Sequence, residues 1–158
     1  MKCKKLAALL VAMIMMLTFA LPANAMSSDS YFKFSFGVSG DWSLDSYTSR
    51  RKDNATSSYI NYTSGPQSLL VTVYGTQTLG IIKRVGNWYP GVEDCCYSYY
   101  TYPTVKVGQR GFIYQLVNER GYRNAVLGAK GANNSSNTGV WSPDSVSESG
   151  VYHLNSKR

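Results

Sequence analysis

A two-residue alternation of apolar and polar side chains is the feature that most constrains the fold of this chain. In the stretch YFKFSF, the rings of Phe32, Phe34 and Phe36 fall on one face of an extended strand. Lys33 and Ser35 fall on the other face. No helical apolar periodicity occurs after the first 25 residues. The alternation therefore predicts a half-buried β-strand.

Further strand-like segments follow, with turn residues between them. They are Ser57–Thr63, Ser68–Gly75, Leu79–Val85, Val105–Val107, Phe112–Val117, Tyr122–Ala129 and a last strand ending at Val140–Trp141. The segments Arg50–Thr56 and Gly131–Thr138 are predicted to be a charged connector and a loop. Short strands between turns, in a chain rich in tyrosine, predict an all-β fold: a small antiparallel β-sandwich or barrel.

Residues 1–25 have the organisation of a secretory signal peptide. Lys2, Lys4 and Lys5 are followed by the apolar core Leu6–Leu21 and by ANA, a small-x-small cleavage motif. The core is shorter than the roughly 20 residues that a membrane-spanning helix needs. The alternative is an uncleaved anchor. We expect cleavage after Ala25 and a secreted, extracellular protein.

Cleavage would leave one β domain over residues 26–145 and a loosely held polar tail over residues 146–158. Removing three of the 16 basic residues leaves 13 against nine acidic ones, a net charge of +4. This modest charge favours anionic partners such as cell-wall polymers or lipid headgroups. Nucleic acid is not expected as a partner, because the longest basic run is only Arg50-Arg51-Lys52.

The sequence predicts no catalytic residue, no metal and no cofactor. The single histidine, His153, lies in the polar tail and is expected to be exposed and functionally silent. A Ser-His-Asp set built on Asp144 would lack the nucleophile elbow. The adjacent carboxylates Glu93 and Asp94 are the one hydrolase candidate. A structural zinc site needs about four Cys or His ligands, which the exported chain does not offer.

The stretch DCCYSYYTY contains the adjacent cysteines Cys95 and Cys96. Their spacing is not the C-x-x-C of redox sites. A disulfide between neighbours is a candidate, although it is strained and closes almost no loop. Bridges to another chain and two free thiols are the alternatives, and the sequence leaves all three open.

The aromatic segment around these cysteines is the candidate binding surface. Its residues are Trp88, Tyr89, Tyr97, Tyr99, Tyr100 and Tyr102, with Arg84 beside them. Exposed rings there would stack on carbohydrate or rest at a membrane interface. The alternative is ordinary aromatic packing within a β-sheet.

Three stretches together resemble a known group of proteins. They are the basic patch and strand at 50–62, GQRG at 108–111 with ERGY at 119–122, and AVLGA at 125–129 with WSPDS at 141–145. Their order resembles small secreted proteins of Gram-positive bacteria with no assigned activity, a group similar in size and β character to lactococcin-type bacteriocins. The resemblance implies a secreted, sandwich-like domain. It carries no catalytic residue, and the two cysteines are not part of it.

These observations favour a secreted, non-enzymatic binding or interaction protein at the bacterial cell envelope. Its partner would be a cell-wall polymer, a carbohydrate or a membrane surface. A bacteriocin-like toxin is one alternative. The second is an envelope hydrolase that uses Glu93 or Asp94.

Overall fold

The computed structural model describes residues 30–37, 42–45, 48–85, 88–96, 100–145 and 150–157, and the predicted signal peptide lies outside them. The strands are β1 (Ser30–Phe36), β2 (Ser43–Leu44), β3 (Thr48–Arg51), β4 (Ser58–Ser64), β5 (Leu69–Thr76), β6 (Gly80–Ile81), β7 (Val92–Asp94), β8 (Thr104–Val105), β9 (Arg110–Ile113), β10 (Asn124–Lys130) and β11 (Ser135–Ser142). All pairings between these strands are antiparallel.

The strands form two sheets. The small sheet has the order β1-β11-β4-β9. The large sheet has the order β6-β3-β10-β5-β7, and β2 and β8 pair with β10 and β5 respectively. The predicted all-β, antiparallel fold is therefore confirmed, and the two sheets pack together.

The core lies between the inner faces of the two sheets. The period-two pattern of β1 places Phe32, Phe34 and Phe36 in this core. On the large sheet, β5 contributes the alternate residues Leu69, Val71 and Val73. The remaining large side chains of the core include Tyr62 and Trp141. Strands β1 and β5 thus lie where their alternation predicted.

Two strand boundaries differ from the sequence prediction. The strand predicted to run to Val117 ends at Ile113, because the buried Gln115 side chain takes over the hydrogen bonding. Its amide nitrogen donates to Thr56 O at 2.7 Å, and its amide oxygen accepts from Val117 N at 2.7 Å. The segment predicted as strand Leu79–Val85 is strand only at Gly80–Ile81.

The second half of the predicted loop Gly131–Thr138 is strand, since β11 begins at Ser135. Its polar side chains are satisfied inside the sheet: the buried Asn137 accepts from Tyr62 Oη at 2.6 Å and donates to Ser135 Oγ at 2.9 Å. A Cβ at Gly139 would collide with the Phe32 ring and with the backbone of the neighbouring strand β4. Glycine and polar residues therefore have packing roles here that their composition does not reveal.

An ion pair in the large sheet lies against the β1 edge of the small sheet. Asp45, at the end of β2, pairs with Arg50 of β3 at 2.8 Å. The Arg50 guanidinium also donates to the carbonyls of Ser30, Tyr31 and Trp141 at 2.9–3.1 Å. These bonds use carbonyls of the small sheet, so Arg50 connects the sheets through its side chain.

A second ion pair lies nearby. The Lys52 ammonium is buried and binds Asp144 Oδ1 at 2.8 Å and Thr56 O at 2.7 Å. The other oxygen of Asp144 accepts from Asp53 N at 2.8 Å. The prediction that Arg50–Thr56 is a charged connector is therefore wrong at its start, where Arg50 and Arg51 belong to β3 and Lys52 is internal.

The C-terminal segment (residues 150–157) is tied to the domain, although a loosely held tail was expected. Phe112 N donates to Tyr152 O at 2.8 Å, and Leu154 N donates to Phe112 O at 2.7 Å. Thr101 N donates to Ser156 O at 3.0 Å on the other side of the segment. The segment thus adds a strand-like edge to β9.

Replacing Arg50 by leucine tests the Arg50–Asp45 ion pair beside the small sheet. It leaves the buried Asp45 carboxylate without its cation, and we expect the free energy of unfolding to fall by about 3–5 kcal/mol. Arg51→Leu is the matched control, because Arg51 is 76% exposed in its pair with Asp53 and such pairs contribute about 1 kcal/mol or less. Urea unfolding measures both values. Equal losses in the two variants would contradict the assignment.

Candidate functional site

The outer face of the large sheet carries a second apolar cluster. It contains Leu44, Ile82 and Val126, with Tyr74, Tyr89 and Val92 packed against them. Val126 and Tyr74 point away from the main core because their neighbours Leu127 and Val73 point into it. A stretch of chain between β5 and β7 covers this outer face.

That stretch, here called the outer segment, comprises residues 79–85 and 88–90. Val85 and Trp88 exchange two backbone hydrogen bonds, at 2.9 Å and 3.2 Å, in an antiparallel bridge. Ile82 and Tyr89 face the sheet, and the Arg84 guanidinium lies 5.8 Å from the centre of the Tyr89 ring. The opposite face of the outer segment therefore points to solvent.

The solvent face of the outer segment is apolar with a cation in it. Trp88 is 60% exposed and Ile81 is 73% exposed, and Val85 is also exposed. Lys83 is exposed between Ile81 and Val85 in the chain. Large apolar side chains exposed close together in one segment make it the candidate interaction surface of the described residues.

The structure separates the other predicted binding residues from this face. Tyr102 packs against the core, with its ring 5.0 Å from that of Trp42 and its hydroxyl donating to Asp94 Oδ2 at 2.8 Å. Tyr100 is buried and stacks on Tyr114 with ring centres 5.3 Å apart. Tyr97 and Tyr99 lie outside the described residues. Of the predicted set, the outer segment brings together Trp88, Tyr89 and Arg84.

Cys95 and Cys96 are buried in the main core as free thiols. The Cys95 thiol donates to Glu93 O at 3.4 Å, and the Cys96 thiol donates to Tyr114 O at 3.3 Å. Burial raises the pKa of each thiol to about 12. Of the three states that the sequence left open, the structure contains the free thiols.

The carboxylates of Glu93 and Asp94 are engaged by neighbouring side chains. Glu93 pairs with Arg120 and accepts from Tyr122 Oη at 2.6 Å. Asp94 accepts from Thr72 Oγ1, Cys96 N and Tyr102 Oη at 2.8–2.9 Å. Each of the four carboxylate oxygens has a donor, so these contacts favour a structural role in holding β7 against its neighbours.

A groove beside the C-terminal segment is a feature that the sequence analysis missed. It has a volume of about 730 Å³ and is lined by residues that include Ser57, Tyr114, Glu119, His153 and Lys157. The His153 ring stacks on Tyr114 with centres 3.6 Å apart and planes 3° apart. Its Nε2 atom lies 2.9 Å from Ser57 Oγ, and burial lowers the pKa of His153.

His153 is exposed, as the sequence predicts, but the expectation that it lies on an unfixed tail is wrong. Its backbone neighbours are bonded to Phe112 on both sides, and its ring is held by Tyr114 and Ser57. Ser57 and His153 are 96 residues apart in the chain. No local pattern could have indicated this contact, because it depends on where the C-terminal segment docks.

Within the described ranges, no three His, Cys, Asp or Glu side chains come together as a group that could hold a metal ion. The same part of the chain contains no helix long and apolar enough to cross a membrane.

Burial predicts that the thiols of the folded protein are unreactive. We expect iodoacetamide at pH 8 to modify neither Cys95 nor Cys96 on the timescale in which it modifies both in guanidinium chloride. Intact mass after each treatment gives the number of alkylated thiols. Rapid modification of the native protein, or an unmodified mass short of two hydrogens, would contradict two buried free thiols.

Comparison with known proteins gives a family. No curated protein and no solved structure matches the chain. Residues 16–145 match the family described as "Protein of unknown function (DUF2712)", a stretch that includes every strand and the outer segment and ends before the C-terminal segment. This match spans most of the 158 residues, so the chain belongs to the DUF2712 family of proteins of unknown function.

Proposed function

We propose that this chain is a secreted binding protein of the bacterial cell envelope, and that the outer segment docks it on an anionic membrane surface. The observation that carries the proposal is the exposed face formed by Ile81, Val85 and Trp88 with Lys83 among them. The organisation of residues 1–25 as a signal peptide supports export.

The composition of the exposed face fits a membrane interface better than a sugar polymer. Trp88 has an apolar ring system and one N–H donor, the combination that is favoured at the level of lipid headgroups. Ile81 and Val85 are aliphatic and offer no hydrogen bond to a sugar hydroxyl. Burying one such side chain in an apolar environment contributes about 1.5–3 kcal/mol, so a few of them suffice for reversible binding.

Charge complements the apolar contact. Lys83 is exposed next to Ile81 and Val85 in the chain, and Arg84 is exposed and lies over the Tyr89 ring. A basic side chain close to an anionic membrane contributes about 1 kcal/mol, and this attraction is screened by salt. The apolar contribution is not screened, so binding should weaken at high salt without vanishing.

The hydrogen bonding of Glu93 and Asp94 favours binding over hydrolysis at that pair. Arg120 and Tyr122 occupy the Glu93 oxygens, and Tyr102 and Thr72 bind Asp94. A bacteriocin-like toxin could use the same outer segment at a target membrane. Growth inhibition of sensitive strains by the purified protein would separate that role from docking alone.

The proposal predicts that Trp88→Ala weakens membrane binding. We expect about a 10-fold loss of affinity for vesicles of phosphatidylglycerol and phosphatidylcholine, because an interfacial ring is removed. Tyr31→Ala is the matched control: Tyr31 is 63% exposed but lies on β1 of the small sheet and is not part of the outer segment. Vesicle sedimentation measures all three proteins.

Lys83→Glu should weaken binding at low salt, and its difference from the wild type should shrink as salt is added. Binding to phosphatidylcholine alone should be weaker than to the anionic mixture. Three results would count against membrane docking: no sedimentation of the wild type, equal losses in the Trp88 and Tyr31 variants, or retention by purified cell walls rather than by vesicles.

A further inference from the structure

The only histidine of the chain is held in a fixed position at the edge of the groove. One face of the ring lies flat against Tyr114, and Phe112 packs at an angle with its ring centre 5.6 Å away. The flanking residues Tyr152 and Leu154 are hydrogen-bonded to Phe112 through their backbones. The imidazole is therefore positioned by stacking and by the sheet edge, as a base needs to be.

Ser57 is held equally well on the other side of the contact. Thr56 O, just before it, accepts a hydrogen bond from Gln115 Nε2 at 2.7 Å. Ser58, just after it, begins β4 and donates from its hydroxyl to Pro143 O at 2.8 Å. Ser57 Oγ lies 2.9 Å from His153 Nε2, within the distance required between a nucleophile and its general base.

The groove gives this pair room for a ligand. Its volume of about 730 Å³ lies within the range of about 300–1,000 Å³ that is typical of small-molecule sites. Lys157 lines the groove together with Ser57 and His153. A cation in the groove can stabilise negative charge that develops on a bound carbonyl group.

We propose that Ser57 is a nucleophile that accepts acyl groups from small carboxylic esters in this groove, with His153 as its general base. The activity would be separate from membrane docking and would not require the outer segment. In the required tautomer the His153 proton is on Nδ1, so that Nε2 accepts from Ser57 Oγ.

The chemistry is an acyl transfer followed by hydrolysis. Ser57 Oγ attacks the ester carbonyl carbon, and its proton passes to His153 Nε2. The carbon–oxygen bond to the leaving group breaks, and the leaving alkoxide takes the proton from Nε2. Water then attacks the acyl-serine, giving its proton to His153, and the acid is released as Ser57 regains its proton.

The geometry also sets the substrate class. The structure gives His153 one hydrogen bond within the described residues, to Ser57, and no carboxylate orients its Nδ1. Loss of the orienting carboxylate costs a serine protease about 10⁴-fold in kcat. The pair should therefore act on esters with good leaving groups and not on amides.

The rate should depend on the protonation of His153. The groups that share the groove with it are Tyr100, Tyr114, Glu119 and Lys157. Burial lowers the pKa of His153 below the ordinary value of 6.5, which favours the neutral base near pH 7. The rate of acylation should fall as the pH drops through the His153 pKa and should level off above it.

The test is covalent labelling of the purified chain with a fluorophosphonate probe, alongside hydrolysis of p-nitrophenyl acetate. The probe should form one adduct: Ser57 Oγ bonds to phosphorus, fluoride leaves, and the proton passes through His153 to solvent. Peptide mass spectrometry should place the adduct on Ser57. Ser57→Ala should abolish it, and it removes only one hydroxyl group, so the fold should be unaffected.

His153→Phe keeps a ring to stack on Tyr114 and removes the base. We expect it to slow labelling about 100-fold, within the usual contribution of a general base. His153→Gln provides a second, smaller replacement. Ser136→Ala is the matched control, because Ser136 is exposed on β11 and does not line the groove, so labelling there should match the wild type. Circular dichroism and thermal melting confirm that each variant is folded.

The proposal is overturned if the folded wild type forms no adduct at pH 8 and hydrolyses no ester. It is also overturned if the adduct persists in Ser57→Ala, or if His153→Phe is labelled as fast as the wild type. Ester hydrolysis that survives Ser57→Ala would belong to the histidine alone and would overturn the nucleophile assignment.

Discussion

The guanidinium of Arg50 connects the two sheets of this domain through hydrogen bonds and an ion pair. It extends from β3 of the large sheet and lies 4.6 Å from the centre of the Trp141 ring. It donates to three carbonyls of the small sheet, those of Ser30, Tyr31 and Trp141. Burial lowers the pKa of Arg50, and the Asp45 charge opposes that shift. Arginine stays charged near neutral pH, so the carboxylate is the required partner. Asp45 also accepts from Trp141 Nε1 at 2.9 Å and from Lys33 N at 3.1 Å.

The same contacts protect an exposed strand edge. Strand β1 lies at one end of the small sheet, where unpaired N–H and C=O groups could recruit another chain. Arg50 and Asp45 occupy several of these groups with side chains. At the other end of the sheet, the C-terminal segment covers β9 through Tyr152 and Leu154. The C-terminal segment also forms one wall of the groove and brings His153 to Ser57.

The alternation of apolar and polar residues predicted strands β1 and β5 for a clear physical reason. Strands β1 and β5 have one face in the core and so show an apolar residue at every second position. Strand β11 lies between β1 and β4 in its sheet. Its Asn137 accepts a hydrogen bond from Tyr62 on β4, and its Gly139 leaves room for the Phe32 ring on β1. The sequence predicts an exposed Lys52, because Asp144, the carboxylate that pairs with it, is 92 residues away in the chain. The Ser57–His153 contact was unpredictable for the same reason.

The placement of the acidic residues also determines the charge of the protein surface. Asp45 and Asp144 are neutralised internally by Arg50 and Lys52, so these pairs cancel. The Asp94 carboxylate is surrounded by hydroxyl and backbone donors and is partly withdrawn from solvent. The net charge of +4 of the proposed exported form is therefore carried largely by exposed lysines and arginines. Such a charge attracts the domain to an anionic surface over about 8 Å in physiological salt, while the apolar side chains of the outer segment act only on contact.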